Sequence, residues 1–148
     1  MAVAVKKTNM TTKNEYFLKE IQEKGGLTDY KTIVINLIQE LENHNCKISC
    51  RYDICSSSYE HNYENNTKRI MISLKCKKKP IHIIWDILHE IGHLCFELKG
   101  KSDNSLNKEI QAWKYAEKKL SKFPELSKEI DDFEEYRNKC LSTYKSNI

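Results

Sequence analysis

Apolar residues recur along this chain at two different periods, and the change from one to the other sets out an order of elements. Residues 1–11 show no periodicity and read as a flexible lead. Thr12, with Glu15 three positions later, forms a capping pair, and Tyr16, Phe17 and Ile21 make a short stripe that stops at Gly25-Gly26. A longer helix follows Thr28. Its Ile33, Val34, Leu37, Ile38 and Leu41 fall at helical spacing, while Lys31, Gln39, Glu40 and Glu42 are left to water. The period then shortens to two over residues 46–54, where Cys46, Ile48, Cys50, Tyr52 and Ile54 alternate with Lys47, Ser49, Arg51 and Asp53. That pattern predicts a half-buried strand. Residues 56–67 are polar and read as a loop, and residues 69–74 as a second strand with Ile70, Ile72 and Leu74 on one face.

Pro80 can open a helix, since its missing N–H costs nothing in a first turn, and the apolar pattern runs from there to about Lys99, with Gly100 as the stop. A polar connection over 101–105 leads to a helix over 106–122 with Ile110, Trp113 and Leu120 as core positions. Pro124 introduces a last helix over 124–145, whose stripe of Leu126, Ile130, Phe133, Cys140, Leu141 and Tyr144 is broken. Helices around two strand patterns predict an α+β fold with a small antiparallel or mixed sheet, and 148 residues suit one domain with one core.

Composition narrows the classes. Hydrophobic residues are 39% and charged residues 31%, which excludes a disordered chain. No apolar run approaches the roughly 20 residues a membrane helix needs. The short apolar start of Met1 to Val5 precedes Lys6-Lys7, the reverse of a secretory signal, so the expectation is a cytoplasmic protein. Net charge of +4 is spread along the chain; direct nucleic-acid binding is not expected, and Lys75-Cys76-Lys77-Lys78-Lys79 reads as a solvated loop. In a cytoplasmic chain the six cysteines read as reduced thiols. Cys46 and Cys50 act as small apolar residues, and the spacing of Cys46, Cys50 and Cys55 matches no common zinc knuckle.

The candidate chemistry lies on the central helix. His89 and His93 are four apart and project from one face, where both imidazoles can reach one tetrahedral ion. Glu90 sits beside the pair, placed to accept a proton from metal-activated water. With 5 His in the chain, a chance match to this pattern is roughly one in sixty. The flanking Ile87, Leu88, Ile91 and Leu94 imply a buried helix, in which two histidines and a glutamate need partners that a metal can supply.

A hydrolytic zinc site needs a third protein ligand and one open position. No histidine follows His93, so the ligand is an acid or a cysteine. Glu109, near the start of the next helix, can fold back over the pair, with Ala112 and Ala116 small enough to let the helices close up. Glu97 and Glu117 are its rivals. Asp86 and His82 can lie along the same stripe; Asp86 suits either the orientation of a metal histidine or the positive end of the helix dipole. Tyr115, Tyr136, His61 and Tyr63 carry groups suited to stabilising an oxyanion, and nothing in the pattern selects among them.

Taken together, His89-Glu90-x-x-His93 followed by Glu109-x-x-Ala112-x-x-Tyr115-Ala116 resembles the ImmA/IrrE family of metallopeptidases. The likeness covers about residues 30 to 120, and residues 69–74 resemble the edge strand of that fold. The resemblance implies a minimal zincin fold, one zinc ion held by His89, His93 and Glu109, and Glu90 as catalytic base. It also implies a protein substrate that is often a helix-turn-helix repressor of a mobile element or stress response. Two positions depart from the family pattern: Tyr115 stands where Phe is common, and Trp113 where Asn often stands. The expected activity is metal-assisted peptide hydrolysis, with strand 69–74 holding an extended substrate. The competing expectation is a zinc-stabilised, non-catalytic binding domain.

Overall fold

The computed structural model describes residues 10–98 and 105–146. Helix α1, Thr12–Glu23, is capped one residue earlier than the sequence suggests: the Thr11 side chain accepts from the Asn14 N–H at 3.2 Å. It buries Phe17, Leu18 and Ile21. Of the flexible lead, residues 1–9 lie outside the described residues. Helix α2, Lys31–Asn43, buries Ile33, Val34, Leu37, Ile38 and Leu41, the stripe its spacing required.

Strand β1, Cys46–Arg51, ends before Tyr52 and Ile54, which are exposed. Strand β2, Ser58–Asn62, falls in the stretch read as a loop. Its sequence Ser-Tyr-Glu-His-Asn offers no apolar alternation, because it forms an edge and is only half covered. Strand β3, Thr67–Ser73, lies between the others. It pairs parallel with β1 (Ile48 opposite Ile70, Cys50 opposite Ile72) and antiparallel with β2 (Tyr59 opposite Ile70, His61 opposite Lys68). The fold is therefore α+β with a mixed sheet. Residues 69–74 do not form the edge: Ile70 and Ile72, fully buried, mark the central strand.

Helix α3, Ile81–Leu98, buries Ile83, Ile84, Trp85, Ile87, Leu88, Ile91 and Leu94. Its expected stop at Gly100 and residues 101–104 of the expected connection lie outside the described residues, while Ser105, expected in that connection, already opens the next helix. Helix α4, Ser105–Leu120, runs back against it and buries Ala112, Trp113, Ala116 and Leu120, while Ile110 is only half-buried. The single last helix expected from Pro124 is two: α5, Pro124–Ser127, and α6, Ile130–Ser146. The break lets Leu126 and Phe133 both enter the core and lets Asp132 accept the Trp85 Nε1–H at 2.9 Å.

The reading of six reduced thiols fails at two positions, because Cys55 and Cys76 form a disulfide. Parallel pairing explains it. The chain leaves β1 and β3 at the same end of the sheet, where Leu74 N–H donates to Arg51 at 3.0 Å, and the two exit loops run side by side. Cys46, Cys50, Cys95 and Cys140 form no disulfide, and burial pushes the Cys46 thiol to about 11 and that of Cys50 to about 12, as expected of inert apolar cysteines. Among the described residues no helix is long and apolar enough to cross a membrane.

Candidate metal centre

Helices α3 and α4 come into backbone contact at a glycine. A Cβ on Gly92 would lie 2.3 Å from the Ala112 carbonyl oxygen and 2.9 Å from its Cα, so the two backbones touch there. The contact brings the first turns of α4 over the middle of α3, which is what delivers an acid to the histidine pair.

His89 and His93 leave one face of α3 with ring centroids 4.6 Å apart. Glu109 reaches them from α4. Its Oε2 is 2.6 Å from His89 Nε2 and its Oε1 is 3.0 Å from His93 Nε2. Donor atoms of all three residues lie within 4.8 Å of one another. Two imidazole nitrogens and a carboxylate oxygen match the protein ligands of a hydrolytic zinc site. The three can hold a metal ion, and no other cluster of such side chains occurs among the described residues. The weak alternative at Cys46, Cys50 and Cys55 is ruled out by the Cys55–Cys76 bridge.

The electrostatics suit a bound cation. Glu90 is buried, 2% exposed, and its Oε2 has no hydrogen-bond partner. Burial first, then the negative charges of Asp86 and Glu109, push its carboxyl well above the ordinary range. Burial also lowers the His89 imidazole, against the pull of Glu109, so that ring is neutral and free to ligate. Burial would raise Glu109, but hydrogen bonds from His89 and His93 outweigh it and hold the carboxylate ionised. A neutral imidazole, an ionised acid and a buried carboxyl with one unbonded oxygen suit a divalent ion.

The other candidates separate cleanly. Glu97 accepts from Tyr63 and lies 2.6 Å from His61 Nδ1, tying α3 to the β2–β3 hairpin. Glu117 faces Arg137 at 3.6 Å. Asp86 accepts from Ser57 and Tyr136, each at 2.5 Å, and pairs with Lys77 at 2.8 Å. It thus stitches α3 to α6 and to both exit loops; neither expected role, imidazole orientation or dipole partner, accounts for those bonds. His82 lies 3.2 Å from Asp132, away from the metal ligands. Tyr115 donates to Glu40 at 3.0 Å, outside the site.

A cleft of about 540 Å³ opens onto the centre, lined by Glu90, His93 and Glu109 on one side and by Ser58, Tyr59, His61 and Tyr63 on the other. Tyr144 of α6 also lines it, with its hydroxyl bonded to Glu109. Tyr144, expected in an apolar stripe, is 39% exposed and so is not core; it stands near the end of α6. No motif marks it. A cavity of about 790 Å³ between α1 and the sheet contains none of these residues.

No protein-family model, curated protein or solved structure matches the chain.

Proposed function

We propose that the protein is a zinc-dependent metallopeptidase that hydrolyses a peptide bond in a protein substrate. The observation that carries this reading is Glu90: a buried carboxyl, one oxygen of which accepts no hydrogen bond, next to three convergent ligands. A structural metal site has no use for such a group, whereas hydrolysis needs a base beside the ion.

Zinc held by His89, His93 and Glu109 would act as a Lewis acid and lower the pKa of water at its open position to near 7. Glu90 accepts the proton from the attacking water and passes it to the amide nitrogen as the C–N bond breaks, leaving a carboxylic acid and an amine. Tyr144, whose hydroxyl stays protonated because burial and the Glu109 charge raise it to about 12, donates a hydrogen bond to the developing oxyanion. Strand addition passes from β3, which has both neighbours filled, to β2, whose residues line the cleft and whose outer side is a sheet edge. The resemblance to the ImmA/IrrE family supports the same assignment and extends it to a cytoplasmic enzyme cutting a DNA-binding repressor, with no nucleic-acid contact of its own.

The test is Glu90→Gln, assayed with a quenched-fluorescent peptide library alongside metal analysis. Zinc content should persist while cleavage stops. Cleavage unchanged by the substitution refutes the base assignment. Zinc without any cleavage by the unaltered chain favours the non-catalytic, zinc-stabilised binding domain instead.

A further inference from the structure

We infer that Trp113 is the positioning residue of the metal centre: its indole, stacked on the His89 imidazole, fixes that ring with Nε2 toward Glu109 and covers one of its faces. The inference rests on the metal-centre reading and goes beyond it.

The two rings are nearly parallel, 11° apart, with centroids at 4.2 Å. Trp113 follows Glu109 by four residues, so one face of α4 delivers both the third ligand and the plate against which a first ligand rests. Trp113 is itself held. Phe133 meets it edge-on at 5.7 Å and Tyr136 at 6.1 Å, and it is 2% exposed. A buried tryptophan ordinarily finds an acceptor for its N–H, yet Trp113 Nε1 has none. Leucine would fill much of the same interior without an orphaned donor, but it lacks the flat aromatic face that His89 lies on.

Two consequences follow for the ion. Rotation about the last side-chain torsion of histidine is soft, so an imidazole in open space samples many planes. The stack leaves His89 one plane, in which Nε2 lies 2.6 Å from Glu109 Oε2. His93, Glu90 and Glu109 line the cleft, while the indole covers one face of His89. Water and substrate reach the centre through this cleft, between β2 and α6.

The experiment compares the full-length chain with Trp113→Phe and Trp113→Leu, using zinc affinity by chelator competition and the visible spectrum of the Co²⁺ form. Thermal melts of the metal-free proteins limit the comparison to folded variants. Trp113→Leu should bind zinc about 10–100-fold more weakly and shift the cobalt bands, as loss of a ligand-orienting contact does, while Trp113→Phe recovers most of the affinity. A core-packing role alone would lower the melt and leave both metal readouts in place. In Trp85→Phe, where Trp113 is the remaining tryptophan, Co²⁺ should quench the fluorescence; this keeps the idea open to refutation even if the leucine variant does not fold. Wild-type zinc affinity in Trp113→Leu, or no quenching by bound Co²⁺, overturns the inference. Failure of the unaltered chain to bind either ion overturns the metal centre as well, whereas tight zinc without peptide cleavage overturns only the catalytic reading.

Discussion

Gly92 and Ala112 meet backbone to backbone, with the space for a Cβ on Gly92 already filled by the Ala112 carbonyl oxygen at 2.3 Å. Gly92, the one glycine of α3, is therefore a spacer, and what it spaces is the distance from the histidine pair to Glu109. Gly92→Ala should drive α3 and α4 apart, costing about 1–3 kcal/mol as overpacking does and weakening metal binding with it. Urea unfolding and zinc titration measure the two effects. Metal affinity unaltered in a folded Gly92→Ala chain would show that helix spacing does not set the ligand geometry.

Glu109 should be indispensable for metal uptake, since it bonds both imidazoles and supplies the only carboxylate among the three ligands. Glu109→Ala should fold and lose stoichiometric zinc, read by elemental analysis after gel filtration. Undiminished zinc in that variant removes the third ligand from the site. Glu97→Ala, by contrast, should keep the metal and loosen the β2–β3 hairpin through lost bonds to His61 and Tyr63.

Tyr144→Phe should retain zinc and substrate affinity and lose turnover by about 10²–10³, the usual effect of removing one oxyanion donor. The expected pattern is a fall in kcat with KM little changed. A change confined to KM would instead place Tyr144 in ground-state binding.

The Cys55–Cys76 bridge closes a loop of 21 residues that contains both β2 and β3. Cys55→Ser with Cys76→Ser should cost about 2–4 kcal/mol, chiefly by freeing the unfolded chain. Thiol titration of the unfolded, non-reduced protein should count four cysteines, rising to six after reduction. Because Ser57 and Lys77, next to the bridged loops, both bond Asp86, the loss should be felt at α3 as faster amide exchange.

Acid should weaken the contact between α3 and α6. Burial alone would raise the Asp132 carboxyl, but hydrogen bonds from Lys79 and Trp85 hold it below its ordinary value. A carboxylate lowered on folding stabilises the fold above its unfolded value near 3.9, and that contribution fades as pH falls through the folded one. His82 is lowered chiefly by burial, so its protonation below about 6.5 opposes folding in the same direction. Urea midpoints should therefore fall between about pH 7 and pH 2, and Asp132→Asn should remove the part of that fall below about pH 4. An equally steep fall below about pH 4 in the variant would clear Asp132 of the role.

Local spacing was enough to reveal α2, α3, the alternation of β1 and the histidine pair with Glu90 beside it. Those features depend on residues within a turn or two of each other, where backbone geometry alone dictates which side chains share a face. It also singled out Glu109, although the small residues beside it hinted at the helix approach without measuring it. What only the tertiary structure decided involves residues far apart in the chain or patterns without a hydrophobic signal. Strand β2 is an edge with one half-covered face, so its polar sequence looks like a loop; β3 is central because both its neighbours come from elsewhere in the chain. The Cys55–Cys76 bridge follows from parallel pairing, Tyr144 reaches the cleft from near the end of α6, and Trp113 lies on His89 because Gly92 lets α4 come close. Side-chain identity and spacing specify a ligand's chemistry and its helical face; which partner stands opposite that face depends on how the elements pack.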